Sequence, residues 1–468
     1  MTGIEDLFYP DPDSNDHDRQ APPTDGDSTN GTTDPAERAR PTRPARTAPN
    51  AWPKPINRFD LPGVLGQLVN AVVESTEADP VTIFFQLLAL CGVIVGHGPY
   101  FAIGTIHHSM KLNLIVVGQT STGRKGESWG VARRLIKEAF RFSHKTENED
   151  FLKQGIRTGL ASGEGLIVAL AARDKDAPDL TTVDRRMLVM EPEFSRTLRA
   201  SKRQHSILSS ILRTSWDTDR LEKMTAQNPL AVDGTHVALI GHITQQELLA
   251  ELDEHDLKNG FVNRFLFIVS KQAALRPIPS ELDLAAIESP LRRLMGNLER
   301  AFSLKDGQIT RDDQAAEQWI TYYMDANQFG RTGVLDSIQA RTDPYIVRIS
   351  ALLALIDGRS VITLKDQTDA EALVAYAVRC AEYIFSGSTG NPYADRMLAL
   401  LRDHPNGIGR SDLSRMVGKG NTLPRRIFDE AVNSLIDGGF VVVEKIKTGG
   451  ADRTVYKPGP LFRPEDWE

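Results

Sequence analysis

Apolar residues recur at three- and four-residue spacing between positions 61 and 95, a pattern that predicts two helices. The first helix carries the apolar residues Leu61, Val64, Leu65, Leu68, Val69, Val72 and Val73. The second begins at Pro80 and continues through Val95. Its longest apolar stretch, Phe84–Val95, is well short of the roughly 20 residues that a membrane-spanning helix needs. We therefore expect a buried helix and no membrane anchor.

The segment Leu112–Val117 (LNLIVV) is typical of a buried strand, and it is followed by a glycine-rich turn and a helix through Trp129–Phe140. Further strands are predicted at Met187–Met190, Val237–Ile240 and Phe265–Val269. Because these strands alternate with helical segments, the pattern predicts an α/β fold with a parallel sheet covered by helices on both faces.

The pattern after Pro279 becomes helical, with predicted helices at Ala315–Asn327, Pro344–Ile356 and Asp366–Phe385. A linker is predicted at Gly387–Pro392, from its glycine, serine and proline content. We predict four regions: a disordered tail (1–54), an α/β domain with a helical lead-in (55–275), a helical subdomain (276–390) and a C-terminal module (391–468).

Composition adds two constraints to this picture. The net charge is −7, and residues 1–50 hold ten acidic and five basic residues, which leaves about −2 for the rest of the chain. The bulk charge therefore does not dictate a nucleic-acid partner, and any such contact needs a local basic patch. The two cysteines, Cys91 and Cys380, give no sign of a disulfide scaffold or a zinc cluster, so we expect a reducing, cytoplasmic setting.

The strongest chemical signal is the segment Gly118–Ser128 (GQTSTGRKGES), here called the candidate phosphate loop. A strand, a loop of small residues and a helix N-terminus together bring backbone N–H groups and a positive dipole end to one point, which suits phosphate oxygens. We therefore expect ATP to bind with Mg²⁺ on residues Gly118, Gln119, Thr120, Ser121, Thr122, Gly123, Arg124, Lys125, Gly126, Glu127 and Ser128.

The loop departs from the standard pattern, in which lysine and then Ser or Thr directly follow the second glycine. Here Arg124 follows Gly123, and Gly126 occupies the hydroxyl position. Either Lys125 or Arg124 is the phosphate-binding residue. Ser128, one helical turn on from Lys125, is the candidate hydroxyl for Mg²⁺, either directly or through water. The alternative is a glycine-rich turn without a nucleotide.

Two carboxylates, Glu191 and Glu193, follow the predicted strand Met187–Met190. Because the carboxyl ends of parallel strands face the ligand crevice, we expect both to lie near the candidate phosphate loop, on the adjoining strand. Glu191 is assigned to the Mg²⁺ shell and Glu193 to positioning of the attacking water, with the order open. A solvated acidic turn is the structural alternative.

Two further polar residues are candidate catalytic groups. His242 follows the strand Val237–Ile240 and could sense the γ-phosphate or the attacking water, or it could be a hydrogen-bonded core histidine. Arg264 precedes the strand Phe265–Val269 and could stabilise transition-state charge in a neighbouring subunit, or it could form a structural salt bridge.

The C-terminal region is predicted to contain three helices and two strands, the arrangement of a winged helix. The helices are Ala394–Asp403, Arg410–Val417 and Pro424–Gly438, and the strands Phe440–Ile446 and Thr454–Lys457 are joined by a turn containing Thr448–Gly450. Its basic residues Lys419, Arg425, Arg426, Lys445 and Lys447 are candidate DNA contacts. Residues 394–457 carry a net charge of only +3, so a protein-docking role is the alternative.

A second basic run, Arg196–Arg203, follows the two carboxylates. Its residues Arg199, Lys202 and Arg203 could track the backbone of single-stranded DNA, or they could form a solvated helical face.

Six segments together resemble one family, a domain-of-unknown-function family of RecA-like P-loop ATPases that is common on plasmids and prophages and is often fused to primase–polymerase domains. The segments are Gly123–Gly126, Ser162–Leu166, Leu212–Asp217, Ile240–Thr244, Asn259–Phe265 and Ala340–Ile349, and the resemblance covers about residues 55–390. It implies that Lys125 is the phosphate lysine and that the protein has a replicative, helicase-like role. The predicted tail occupies the position of the primase–polymerase domain to which the family is often fused, so priming is not expected.

Three functions are consistent with the sequence. The first is an oligomeric ATP-driven motor, a homo-oligomer such as a hexameric ring, that moves on single-stranded DNA during replication of a mobile element together with a replication partner protein. The second is a nucleotide-switched DNA-binding or loader protein without translocation. The third is a non-hydrolysing scaffold with a degenerate phosphate loop, suggested by Gly126.

Overall fold

The computed structural model describes residues 52–143, 150–174, 183–304, 307–327, 340–385, 391–437, 439–447, 453–460 and 462. Almost all of the predicted tail lies outside these ranges, as do most of the predicted linker Gly387–Pro392 and the turn Thr448–Gly450. The described residues belong to one unit of the chain, Thr47–Glu468. Among the residues described, every helix is too short or too polar to traverse a lipid bilayer.

The described strands are β1 (Pro99–Ile103), β2 (Ile106–Ser109), β3 (Leu114–Val117), β4 (Ile156–Arg157), β5 (Arg186–Glu191), β6 (Leu221–Lys223), β7 (Leu230–Val232), β8 (His236–Ile243), β9 (Leu266–Val269), β10 (Gly307–Arg311), β11 (Val361–Ile362), β12 (Ile408–Gly409), β13 (Val441–Ile446) and β14 (Arg453–Pro458). The described α-helices are Gly63–Val72, Pro80–Ile94, Lys125–Phe140, Gly163–Ala171, Phe194–Ser201, Leu208–Asp217, Gln245–Glu251, Glu254–Lys258, Leu284–Phe302, Asp313–Asn327, Thr342–Ile356, Leu364–Phe385, Pro392–Arg402, Arg410–Val417 and Arg425–Asp437.

A five-stranded parallel sheet forms the centre of the fold, in the order β4-β5-β8-β3-β9. The three middle strands are fully buried, as expected for a parallel sheet covered on both faces. Helices do cover both faces at β8. On one face, the His242 side chain contacts Gln86 of the helix Pro80–Ile94. On the other face, a side chain at the preceding position, Gly241, would meet Phe194 of a different helix. The predicted mixed α/β fold with a parallel sheet is therefore confirmed.

A second sheet was absent from the sequence prediction. It has the order β11-β10-β1-β2, so strands from the beginning of the chain pair with strands more than 200 residues later. One hydrophobic core extends from Leu61 to Phe385 and includes both sheets. The boundary predicted at residues 275–276 consequently does not coincide with a division of this core.

The C-terminal residues 391–462 have a separate core. Three helices pack with a small antiparallel sheet of order β12-β14-β13 around Leu398, Leu413, Phe428, Leu435 and Tyr456. The helix bounds agree with the prediction to within two residues, and the strand β12 was not predicted.

Candidate functional site

The candidate phosphate loop lies at the carboxyl edge of the central sheet, between the ends of β8 and β9. The Gly118 N–H donates to the Ile243 carbonyl at the end of β8 (3.2 Å). The Ser270 hydroxyl, just after β9, donates to the Gly123 carbonyl (2.7 Å). These bonds hold the loop to both neighbouring strands.

Two glycines of the loop have no room for a side chain. A Cβ on Gly118 would lie 2.6 Å from the Ser270 carbonyl oxygen, and a Cβ on Gly123 would lie 2.6 Å from the Gln119 carbonyl oxygen. The next residue, Arg124, has φ of 46° and starts the helix Lys125–Phe140 without a side-chain cap. The first-turn N–H groups of a helix have no intrahelical acceptor, so this end is suited to an anion.

The two basic residues of the loop point in different directions. The Arg124 guanidinium donates to the Glu77 carboxylate. The Lys125 ammonium folds back over the loop and donates to the carbonyls of Gly118 (2.5 Å) and Gln119 (3.2 Å). Burial lowers the pKa of Lys125, and the nearby Glu247 carboxylate opposes that shift. Of the two candidates that the sequence left open, Lys125 is the one whose charge lies over the loop.

Two cavities meet at the loop. The first, here called the lysine cavity, has a volume of about 770 Å³. It is lined by Lys125, Glu193, Arg196, Arg199 and His242 together with loop residues. The second, here called the tryptophan cavity, has a volume of about 880 Å³, and its lining includes Trp52, Lys271 and Tyr383. The two share the lining residues Gln119, Thr120, Thr244 and Glu247.

His242 is both a core histidine and a residue of the lysine cavity. Its Nε2 lies 3.0 Å from the Gln86 side-chain oxygen, and only 2% of the residue is exposed. Burial, with a contribution from the Lys125 charge, lowers its pKa to about 3. The ring is therefore neutral at physiological pH. Since the Gln86 oxygen can only accept, Nε2 carries the proton and Nδ1 has the free lone pair.

Ser128 does not present a hydroxyl to the cavity. It is fully buried, accepts from the Gln86 amide nitrogen (2.7 Å) and donates to the Lys125 carbonyl (2.7 Å). The helix phase turns it toward the helix Pro80–Ile94. This position is at odds with a direct contact between Ser128 and Mg²⁺, one of the two arrangements that the sequence left open.

The two carboxylates after β5 also differ. Glu191 is buried, and its Oε1 accepts from the Leu160 N–H (2.7 Å) after β4. Glu193 is exposed, lies on the wall of the lysine cavity and has Arg196 3.7 Å away. The prediction that β5 adjoins β3 is wrong, because β8 lies between them. All three strands nevertheless end at the same edge of the sheet. Glu193, rather than Glu191, faces the loop.

Arg264 lies before the amino end of β9, whereas the candidate phosphate loop lies at the carboxyl ends of the strands. Its guanidinium pairs with the Asp217 carboxylate (2.5 Å), which also accepts from Arg341 (3.0 Å). Only 8% of Arg264 is exposed. This is the structural salt bridge that the sequence left open, and the structure does not bring Arg264 to the loop of its own chain.

The basic run after Glu193 is largely paired with acidic residues. Arg199 contacts Glu251 (2.8 Å), and Lys202 contacts Asp253 (3.1 Å). Arg203 is exposed, and Arg199 also lines the lysine cavity. The run therefore lies on a solvated helical face whose first turns adjoin the loop, and contact of Arg199, Lys202 and Arg203 with DNA stays a prediction.

The basic residues of the C-terminal region remain on its surface. Lys419, Lys445 and Lys447 are exposed, and Arg425 and Arg426 are exposed but paired within their helix to Asp429 (3.4 Å) and Glu430 (2.8 Å).

Three residues of the site were missed by the sequence analysis: Gln86, Arg196 and Glu247. Gln86 could have been noticed as an amide in the middle of an apolar helix, since a buried polar side chain needs a partner. Glu247 forms a capping box with Thr244 at the start of the helix Gln245–Glu251, a signal present in the sequence T-Q-Q-E. Arg196 has no distinguishing signal within its basic run.

No protein-family model matches the chain, and none of the curated proteins is significantly similar to it.

Proposed function

We propose that this protein is a P-loop ATPase with a RecA-like core. The observation that carries the proposal is the position of Lys125, whose ammonium lies over a glycine-constrained loop at an uncapped helix N-terminus. The same cavity is lined by a carboxylate, Glu193, and a neutral histidine, His242. Phosphoryl transfer to water needs this combination of a phosphate-binding cation, backbone donors and groups that orient the nucleophile.

Each residue has a role in this proposal. The amides of Gly118–Ser128 hold the β- and γ-phosphates, and Lys125 exchanges its bonds to the loop carbonyls for bonds to phosphate oxygens. Glu193 accepts a hydrogen bond from the attacking water, and the lone pair of His242 Nδ1 is a second acceptor on the same cavity. Glu191 fixes the segment after β4 through the Leu160 N–H rather than acting on the nucleotide.

A bound Mg²⁺ would neutralise developing charge on the phosphates. The residues fit a metal that is held mainly by the nucleotide, because no group of three or more His, Cys, Asp or Glu residues in the described ranges could hold a metal alone. Glu193 and Glu247, which both line the lysine cavity, are the carboxylates available to it. The Ser128 hydroxyl is buried, donates to the Lys125 carbonyl and accepts from the Gln86 amide nitrogen, so it is not directed at the cavity.

The wider proposal is an oligomeric, helicase-like motor on DNA that acts in the replication of a mobile element. It is supported by the resemblance of the six segments named above to RecA-like ATPases. The three helices and small sheet of residues 391–462 further support a winged-helix-like module, in which the exposed Arg425 and Lys445 would contact DNA phosphates.

ATP hydrolysis by the full chain, measured with and without single-stranded DNA, tests this proposal. We expect DNA-stimulated turnover in the wild type and at least a hundredfold loss in Lys125→Ala, because the phosphate charge then lacks its cation. Lys137→Ala, which removes an exposed lysine from the same helix, is the matched control. Turnover that is unaffected by Lys125→Ala would disprove the site, and turnover that ignores DNA would disprove the motor.

One observation favours a second candidate, a protein that binds ATP without hydrolysing it. The buried Ser128 hydroxyl and the missing hydroxyl at Gly126 leave the loop without its usual metal ligand. Such a protein would be the non-hydrolysing scaffold with a degenerate phosphate loop. Calorimetric binding of ATP to Lys125-dependent sites, with no phosphate release, would favour this candidate over the motor.

A further inference from the structure

The tryptophan cavity has no role in the chemistry proposed above. It adjoins the candidate phosphate loop through Gly118, Gln119, Thr120, Thr122 and Gly123. Its volume of about 880 Å³ lies within the range of small-molecule sites, which are typically 300–1,000 Å³. A polyphosphate on the loop would therefore have a second, sizeable compartment beside it.

One wall of this cavity is aromatic. The rings of Trp52 and Tyr383 lie 5.3 Å apart at an angle of 60°, and the Lys271 ammonium lies 4.8 Å from the centre of the Trp52 ring. Trp52 precedes the first helix, Tyr383 is near the end of the helix Leu364–Phe385, and Lys271 follows β9. Three distant segments of the chain thus converge on one partly exposed aromatic face.

The remaining walls are fixed by hydrogen bonds. The Gln245 amide donates to the Ile384 carbonyl (2.9 Å), which ties the aromatic helix to the segment after β8. The Gln272 N–H donates to the Thr122 carbonyl (2.9 Å), and its side-chain amide donates to Glu77 (3.0 Å). The cavity is therefore preformed around the aromatic pair rather than dependent on rearrangement of its walls.

We propose that the tryptophan cavity binds the base of a purine nucleoside triphosphate, with the base against the Trp52–Tyr383 pair. The inference rests on the proposed ATP binding, since the phosphates must lie on the loop for the base to reach this wall. An aromatic face beside a phosphate site suits a planar heteroaromatic ring, and stacking of this kind contributes to binding for every base. Purines present the larger stacking area and are therefore favoured over pyrimidines.

Base recognition would depend on Trp52, a residue within the region that the sequence analysis assigned to the tail. The segment before the first helix consequently forms part of the site, and the boundary predicted at residue 54 falls inside it.

Equilibrium binding of ATP, CTP and inorganic tripolyphosphate to the full chain separates the base from the phosphates. In Trp52→Ala we expect ATP affinity to fall about tenfold to a hundredfold, while tripolyphosphate affinity stays at the wild-type value. Trp52→Phe should recover most of the loss, because it retains an aromatic face. Phe59→Ala, at an exposed aromatic outside the cavity, is the matched control.

A direct readout on folded protein accompanies the variants. ATP, but not tripolyphosphate, should change the tryptophan fluorescence of the wild type, and the change should be absent in Trp52→Phe. Equal affinities of Trp52→Ala and wild type for ATP, or a parallel loss for ATP and tripolyphosphate, would overturn the subsite and leave the proposed ATPase intact. A wild-type protein that binds neither ligand would instead overturn the proposed function.

Discussion

The Gln86 side chain joins His242 to Ser128 in the buried interior beneath the loop. Its oxygen lies 3.0 Å from His242 Nε2, and its nitrogen lies 2.7 Å from the Ser128 hydroxyl. The amide therefore sets the tautomer of the histidine and the direction of the serine at the same time. One residue of a structural helix thereby determines which polar atoms the lysine cavity contains.

Replacement of Gln86 by leucine should lower the free energy of unfolding by about 1–3 kcal/mol, because the buried His242 Nε2–H loses its acceptor. Ser128→Ala should lower the free energy of unfolding by less, because it removes the hydroxyl that accepts from the Gln86 amide nitrogen but leaves the bond between Gln86 and His242 in place. Urea unfolding of both single variants and the double variant measures their coupling. We expect the double variant to be less destabilised than the sum of the two, whereas strict additivity would show that the amide does not link them.

Acidification should weaken the fold partly through His242. The folded-state pKa of about 3 lies below the ordinary value of 6.5, so between these values the unfolded chain binds one more proton at this site. The contribution of His242 to the free energy of unfolding is fully present above pH 6.5. Below pH 6.5 it falls by about 1.4 kcal/mol for each pH unit.

Urea unfolding at several pH values between 5.0 and 6.5 checks this expectation. His242→Asn retains an N–H donor for Gln86 but cannot titrate, so its stability should decrease less steeply than that of the wild type. His255→Asn, at an exposed position, is the matched control. A slope in His242→Asn equal to that of the wild type would contradict the neutral, buried ring.

Gly126→Ser should restore the hydroxyl that the loop lacks. A Cβ at Gly126 would have no atom within 4 Å, and serine is about 0.5 kcal/mol better than glycine in a helix, so we expect no loss of stability. Mg²⁺-dependent ATP hydrolysis should increase. Gly123→Ser is the contrasting variant, since its Cβ would clash with the Gln119 carbonyl, and it should lose at least tenfold in ATP affinity. Equal ATP affinities of Gly126→Ser and Gly123→Ser would contradict the loop geometry.

Asp217→Ala should destabilise the protein by about 2–4 kcal/mol. The change leaves the buried Arg264 without its counter-charge, although partial exposure of Asp217 reduces the cost relative to a fully buried pair. Asp233→Ala breaks the exposed pair with Arg220 and should lower the free energy of unfolding far less, because solvent screens that pair. Similar unfolding midpoints for the two variants would show that the Arg264 contact is not a structural ion pair.

Four strands of the central sheet, β3, β5, β8 and β9, could be predicted because they are short apolar runs that end in turns, whereas the two-residue strand β4 was not predicted. Leu114–Val117 is buried on both faces, so its composition alone distinguishes it from the flanking loops. The strands β1, β2, β10 and β11 gave no such signal. They are partly exposed, and β10 acquires its partners β1 and β11 from distant parts of the chain, a relationship that local pattern does not contain.

The sequence could predict which residues lie at the site but not the directions in which their side chains point. The sequence placed Lys125, Glu193 and His242 after strands that end at one edge, and the structure brings all three to the lysine cavity. It could not show that Ser128 turns inward, because that depends on the phase of its helix against Gln86, 42 residues away. Nor could it show that Glu191 is held by the Leu160 N–H after another strand.

On the proposed function, the bonds from Lys125 to the Gly118 and Gln119 carbonyls make phosphate binding an exchange of hydrogen bonds. A phosphate oxygen would have to replace these contacts, of 2.5 and 3.2 Å, before it gains the full attraction of the ammonium. A monovalent anion with two oxygens, such as acetate, would offset little of that loss, whereas the triphosphate of the proposed ATP complex offers many oxygens and would offset more of it. On the proposed function, the loop would therefore favour ligands that offer many oxygens to the ammonium and the loop amides.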